Sequence, residues 1–195
     1  MPIKSCLLKA LLAGLDFYKT DNFLKCLLKS IFLIMYYACM RVGEISLSNN
    51  PKHVLKISNV FVQKDSHFPK IMLKLESFKH SVKPVKLCLP FGLDDNLCPT
   101  KALLKYLSIR PRVEGQFFVN SKGLPIKRFF VEKHLKGLLK SIGHDVKKFN
   151  THSFRVGRAS DLASEGASDP IIREVGRWSS SAFKKYIRFD CFQLP

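Results

Sequence analysis

The chain has 195 residues, 46% hydrophobic and 25% charged, which excludes a disordered chain and gives one domain enough apolar residues for a sizeable core. Lysine and arginine number 33 against 15 acidic residues, a formal charge of +18 at pH 7, with lysine supplying most of it. A folded domain so basic repels itself, and the usual reason to tolerate that is a polyanionic partner, nucleic acid first and a membrane surface second.

Ile3, Leu7, Leu8, Leu11, Leu12 and Leu15 recur at helical spacing with lysines between them. Asp21 or Thr20 caps a second helix through Leu24, Leu27, Leu28, Ile31, Phe32 and Met35. It is apolar on nearly all sides near Tyr36-Tyr37, which predicts the central, buried helix. Gly43 and Asn49-Asn50-Pro51 end this helical region. The period then changes. Val54-Leu55-Lys56-Ile57, Val60-Phe61-Val62, Ile71 to Leu75 and Val85 to Pro90 read as strands. Lysines alternate with apolar residues in the last two, the pattern of a half-buried antiparallel sheet, and the basic connector from Glu76 to Pro84 reads as a lysine-bearing β-hairpin. Pro99-Thr100 opens a helix through Leu103, Leu104 and Leu107. Further helices are predicted at about 127–141, 152–165, 169–176 and 180–188, punctuated by Gly143, Gly166 and Gly176. The fold class is therefore α+β, mostly helical with a small antiparallel sheet.

Cys6, Cys26, Cys39, Cys88, Cys98 and Cys191 are scattered, with no CxxC and no Cys/His cluster at zinc-ligand spacing. They read as buried free thiols of a reducing compartment. Met1-Pro2-Ile3-Lys4 lacks a signal pattern, and the longest apolar run, Ile31 to Met40, falls short of the roughly 18 residues that a bilayer requires. The expectation is a soluble intracellular protein with no membrane partner. No GxxxxGKS phosphate loop occurs. Acidic residues are few and Asp94-Asp95 is the only adjacent pair, so the converging carboxylates of a two-metal nuclease are not in view. Neither a metal nor a cofactor is expected.

Two segments carry chemistry. Tyr37 to Ile45 ends a buried helix on Arg41, with Glu44 three residues on; Thr151-His152-Ser153-Phe154-Arg155 leads to Gly176-Arg177-Trp178-Ser179-Ser180 and then Tyr186-Ile187-Arg188. His152 and Arg155, three apart, share a face on a helix. Taken singly, Arg41 reads as a helix-terminal cation and Trp178 and Tyr186 as packing residues. In this order, the set resembles the catalytic domain of the tyrosine recombinase (phage integrase) family, whose pattern is Arg, a hairpin Lys, His-x-x-Arg, His or Trp, then Tyr. The matching positions are Arg41, Lys79, His152, Arg155, Trp178 and Tyr186, with Lys74 or Lys83 as alternatives for the lysine. The wording from Gly176 to Arg188 looks most like the eukaryotic mobile-element branch, including DIRS-like retrotransposons.

That resemblance implies site-specific DNA recombination by cleavage and rejoining through a 3′-phosphotyrosine. Arg41 and Arg155 would hold the non-bridging phosphate oxygens and stabilise the charge that grows at phosphorus. A tyrosine phenol titrates at about pH 10, so a tyrosine nucleophile such as Tyr186 needs a positive field or a base. Lys79 would protonate the leaving 5′-oxygen, with His152 helping as acid or base. Trp178 would donate an indole N–H. Glu44 would orient Arg41 from behind, and Arg177 and Arg188 would contact flanking phosphates.

The resemblance also implies duplex DNA as partner, a homotetramer in the synaptic complex and a nuclear setting. It makes residues 1–195 a catalytic domain without the family's N-terminal DNA-clamping domain, which is expected in a separate product if at all. The rival reading is a decayed or domesticated mobile-element fragment that binds DNA and cuts nothing. A general nucleic-acid module ranks lower, because Phe117-Phe118 and Phe129-Phe130 lack the basic–aromatic strand pattern of an RRM.

Overall fold

The computed structural model describes residues 1–47, 53–64, 68–78, 83–92 and 94–188. Helix α1 (Ser5–Phe17) buries Leu8, Leu11, Leu12 and Leu15 along one face. Asp21 caps α2 (Asn22–Tyr37), its carboxylate accepting the Leu24 N–H at 2.7 Å. From Ile31 to Tyr36 every α2 residue is buried, so this helix is the axis of the core, touching α1, α4 (Pro99–Ile109) and α6 (Ser153–Ser164). Pro99 occupies the first turn of α4, where its missing N–H costs nothing. Helix α5 (Arg128–Ser141) packs on α1.

Strands β1 (Val60–Lys64), β2 (Pro69–Leu75) and β3 (Val85–Cys88) form an antiparallel sheet in that order, with Leu73 opposite both Val60 and Leu87. Ile71, Leu73 and Leu75 are buried while Lys70 is exposed, so the alternation predicted for this sheet is its inside–outside pattern. The tip of the hairpin between β2 and β3, residues 79–82, lies outside the described residues.

Three expectations need correction. Residues 54–57 do not form a strand: Lys56 makes a single bridge to Gln116, and Gly115, at φ 90°, turns the partner away before a ladder grows. A 3₁₀ turn, Ile57–Asn59, follows. The helix expected at 180–188 is instead a 3₁₀ segment, Ser181–Tyr186, with Phe183 as its only buried residue and Ile187 already extended. The Ser160 hydroxyl ends it by donating to the Tyr186 carbonyl at 3.3 Å and accepting the Arg188 N–H at 2.8 Å. Finally, Cys6 and Cys88 are exposed; Cys26, Cys39 and Cys98 are buried thiols, and Cys191 lies outside the described residues.

Helix α6 is clamped between the start of the chain and α2. The Ile3 N–H donates to the Ser153 carbonyl at 2.9 Å. A Cβ on Gly157 would lie 1.7 Å from the Ile3 carbonyl oxygen, so only glycine admits this crossing. The Asp161 carboxylate accepts both the Ser5 N–H, at 2.7 Å, and the Tyr36 hydroxyl. Beyond α6, helix α7 (Asp169–Gly176) and the 3₁₀ segment enclose a second, smaller cluster of Ala159, Leu162, Ile172 and Phe183.

Candidate active site

The site forms where α2 ends, α6 begins and α7 stops. After Tyr37 the chain bends through Cys39, a non-glycine residue at φ 45°, which aims the Cys39 carbonyl into the interior. Arg41 then precedes α3 (Val42–Ile45), a single turn within which Gly43 lies. Glu44, almost fully buried, closes that turn: its carboxylate accepts the Arg41 backbone N–H at 2.9 Å and the Arg41 Nη1 at 3.0 Å. The Arg41 side chain stays partly exposed, at 23%.

Arg155 enters from the first turn of α6 and is buried. Its Nη1 donates to the Cys39 carbonyl and its Nη2 to the Gly176 carbonyl at 2.9 Å. The guanidinium lies 4.8 Å from the Trp178 ring, a cation–π contact out of water. His152 is the residue before α6, already in helical dihedrals with its carbonyl accepting the Val156 N–H at 3.2 Å, so it keeps its i, i+3 relation to Arg155; its own backbone N–H is held by the Asn150 side chain at 2.8 Å. Its ring stands edge-on to Tyr186 with centroids 4.9 Å apart, and the Trp178 ring lies 5.1 Å from that of Tyr186. Tyr186 is half-buried.

The end of α7 explains the Gly-Arg-Trp wording. The Trp178 N–H returns to the Arg173 carbonyl and the Arg177 N–H to that of Glu174, a Schellman ending. The left-handed position in it, usually glycine, is Arg177 at φ 54°. Gly176 is required for another reason: a Cβ there would lie 1.6 Å from the Trp178 ring, so the indole folds back over the helix end and onto Arg155.

Arg177 differs most from expectation. Instead of reaching flanking phosphates it is 3% exposed and points inward, its Nη2 donating to the Glu44 carboxylate at 2.7 Å and to the Cys39 carbonyl at 3.3 Å. Phe78 covers it, 5.6 Å from ring centroid to guanidinium. Arg188 is exposed, but its guanidinium folds back onto the carbonyls of Lys185 and Ile187 at 2.6 and 2.9 Å. Lys79 lies outside the described residues; Lys74 pairs with Glu76 at 2.8 Å, and Lys83 is exposed.

The structure thus brings Arg41, Glu44, His152, Arg155, Trp178 and Tyr186 together, and it adds Arg177 and the Cys39 carbonyl. No residue-type pattern signals the carbonyl, a backbone group selected by a bend. Arg41 and Arg177 share the Glu44 carboxylate and Arg155 joins Arg177 on the Cys39 carbonyl, so the three guanidiniums exceed the one carboxylate by two positive charges. Burial first, then the neighbouring guanidiniums, pushes Arg155 down to about 10 and lowers Arg177 as well. The Arg155 Nε and the Arg177 Nε and Nη1 are buried donors without a hydrogen-bond partner. His152 is exposed on one side, but desolvation of its inner edge and then the charges of Arg155 and Arg41 lower its pKa to about 4, so the imidazole is neutral at pH 7. Among the described residues no three His, Cys, Asp or Glu side chains converge as metal ligands.

Solved structures share this fold. The chain superposes with TM-score 0.71 on the XerH site-specific recombinase bound to palindromic difH substrate, at 16% identity, covering 97% of this chain and 49% of that one. With XerA recombinase the TM-score is 0.70 at 20% identity over 98% and 61%. With a lambda integrase tetramer bound to a Holliday junction it is 0.64 at 16% over 100% and 50%. The chain therefore spans about half to three-fifths of these relatives' length. No curated protein matches it by sequence. The phage integrase family model matches residues 9–189, nearly the whole chain, and the chain belongs to that family.

Proposed function

We propose that the chain is the catalytic part of a site-specific tyrosine recombinase that cuts and rejoins duplex DNA through a 3′-phosphotyrosine. The observation that carries this reading is the excess of two positive charges on Arg41, Arg155 and Arg177 over Glu44, with buried donors left over, in a site whose Trp178 touches both Arg155 and Tyr186. Such a pocket is costly unless an anion completes it. A phosphodiester brings one negative charge, and its five-coordinate transition state brings two. The positive field therefore matches the transition state better than the ground state, which is the condition for catalysis.

In this reading the Tyr186 oxygen attacks phosphorus, the bond to the 5′-oxygen breaks, and the 3′-phosphate stays on the tyrosine. Neutral His152, beside the Tyr186 ring, accepts the phenolic proton or holds it in a hydrogen bond. Arg41, the more exposed guanidinium, grips a non-bridging oxygen while Arg155 supplies field from beneath. The Trp178 indole walls the nucleophile against Arg155. Lys79, assigned by the family pattern alone, gives the leaving 5′-oxygen its proton. Attack of a 5′-hydroxyl on the phosphotyrosine reverses the sequence and rejoins a strand.

The same reading takes in a homotetramer on duplex DNA, since relatives of this fold were solved as a tetramer and on Holliday junctions. It takes in a further segment closing the clamp, since those relatives are longer than this chain. The Gly176-Arg177-Trp178-Ser179-Ser180 wording supports an origin in DIRS-like eukaryotic mobile elements, and with it a nuclear setting.

The test is relaxation of supercoiled plasmid in EDTA by the wild type and by Tyr186→Phe. Relaxation with a covalent DNA–protein band in the wild type alone is expected. Retained DNA binding with neither product, even when a clamp domain is added in trans, makes the chain a DNA-binding remnant.

A further inference from the structure

We infer that Arg177 is a positioning residue, not a phosphate contact: it competes with Arg41 for the Glu44 carboxylate and so keeps Arg41 electrophilic toward the bound phosphate. The inference rests on the recombinase reading above and concerns a residue outside the family pattern of six. Three observations carry it. Glu44 Oε2 is shared, 2.7 Å from Arg177 Nη2 and 2.9 Å from the Arg41 backbone N–H, while Oε1 takes the Arg41 guanidinium at 3.0 Å. The Arg177 side chain is 3% exposed and lies under Phe78, so its guanidinium has no face for a flanking phosphate. Arg177 also occupies the left-handed position of the α7 ending at φ 54°, a conformation that non-glycine residues rarely adopt.

The electrostatics follow from the sharing. A buried carboxylate paired with one guanidinium cancels most of its charge. Paired with two, it cancels about half of each, so the partly exposed Arg41 keeps a net positive field where substrate arrives. Without Arg177, Glu44 would turn wholly to Arg41. The pair would then be closer to neutral, and Arg41 would be drawn inward. The Cys39 carbonyl, which accepts from both Arg155 and Arg177, sets the spacing of the two buried guanidiniums.

The test uses Arg177→Asn, Arg177→Lys and Glu44→Gln on the full chain. Asparagine tolerates the left-handed turn, so Arg177→Asn removes the charge and keeps the backbone; thermal melting checks that it folds. Single-turnover cleavage at saturating duplex is expected to fall about 10–100-fold, as for other residues that orient a charged group. Duplex affinity and its salt slope should stay as in the wild type, and Arg177→Lys should recover part of the rate. Arg177→Asn combined with Glu44→Gln should be no slower than Glu44→Gln alone, because both act through one carboxylate. A salt slope reduced by about one phosphate, with the saturated rate unchanged, overturns the inference. If the wild type forms no adduct even with a clamp domain added in trans, the recombinase reading fails on its own. The salt slope then decides for Arg177: unchanged keeps it as an inward-facing residue, and reduced makes it a phosphate contact.

Discussion

The two sides of the site stand on unequal foundations. Arg41, Glu44 and the Cys39 carbonyl extend from the end of α2, the most deeply buried helix of the large core. Tyr186 stands on the small cluster of Ala159, Leu162, Ile172 and Phe183, against which Trp178, Tyr186 and Ile187 pack half-buried. The charge-bearing side is held by many apolar neighbours and a web of short hydrogen bonds. The nucleophile side is held by a 3₁₀ segment, one buried phenylalanine and Ser160. Such a division would suit the strand exchange proposed above: the field has to be preorganised, whereas the tyrosine would have to reach phosphorus and carry a covalently bound strand.

Arg155 is the bolt between the two sides, since it joins Cys39 of one to Gly176 of the other. Arg155→Met should therefore have the largest effect. It strands the buried Gly176 carbonyl at roughly 1–3 kcal/mol, leaves the Cys39 carbonyl to Arg177 alone, and removes a transition-state charge worth about 10²–10³ in rate. Thermal melting and a single-turnover adduct assay measure the two losses. If the melting temperature is unchanged, the comparison fails, because the two sides are then not joined through this residue.

Phe183→Ala should come next and should act on one side only. Truncating a buried phenylalanine costs about 3–5 kcal/mol, a loss that a cluster of four buried side chains absorbs poorly. Amide hydrogen exchange should rise in residues 169–188 and stay at wild-type levels in α2. Adduct formation should fall, with duplex affinity nearly unchanged. Uniform loss of protection across both clusters would mean that the small one is part of the main cooperative unit.

The same contrast governs what could be read from the sequence. The large core was legible because α1, α2 and α4 carry strong apolar periods with clear starts at Asp21 and Pro99. The sheet was legible from alternating lysines in β2. The ordered set from Arg41 to Tyr186 pointed to one site, and the structure sets Arg41 on the Glu44 carboxylate, Arg155 on the Cys39 carbonyl, and Trp178 and His152 against Tyr186. Residues 54–57 carry the strand composition but lack a partner able to extend a ladder beyond Gln116. Two things escaped at the small cluster. The helix expected there gives way to a tighter turn because only Phe183 packs inward. Arg177 turns inward because the left-handed position falls on the arginine, while Gly176 is reserved for the Trp178 ring. Sequence spacing gives direction only along a regular element, and the end of α7 is where the regularity stops.

The smallest predicted effect tests how deeply the field reaches the nucleophile side. His152 has its pKa lowered to about 4 by desolvation, Arg155 and Arg41. The folded value lies below the unfolded one, so as pH falls the unfolded chain takes up its proton near 6.5 and the folded chain does so only near 4. Stability from this group is complete above pH 6.5 and declines toward pH 4. His134, lowered by burial and Lys133, slopes in the same direction, so His152→Gln should flatten only part of the acid limb of melting temperature against pH. In the proposed complex, bound phosphate would partly neutralise the two arginines and bring the imidazole back toward its ordinary value. The acid limb of wild-type single-turnover cleavage should accordingly lie at higher pH than that of free-protein melting. Coincident limbs would mean that phosphate binding leaves the His152 surroundings unchanged, and that the arginine field ends short of the tyrosine.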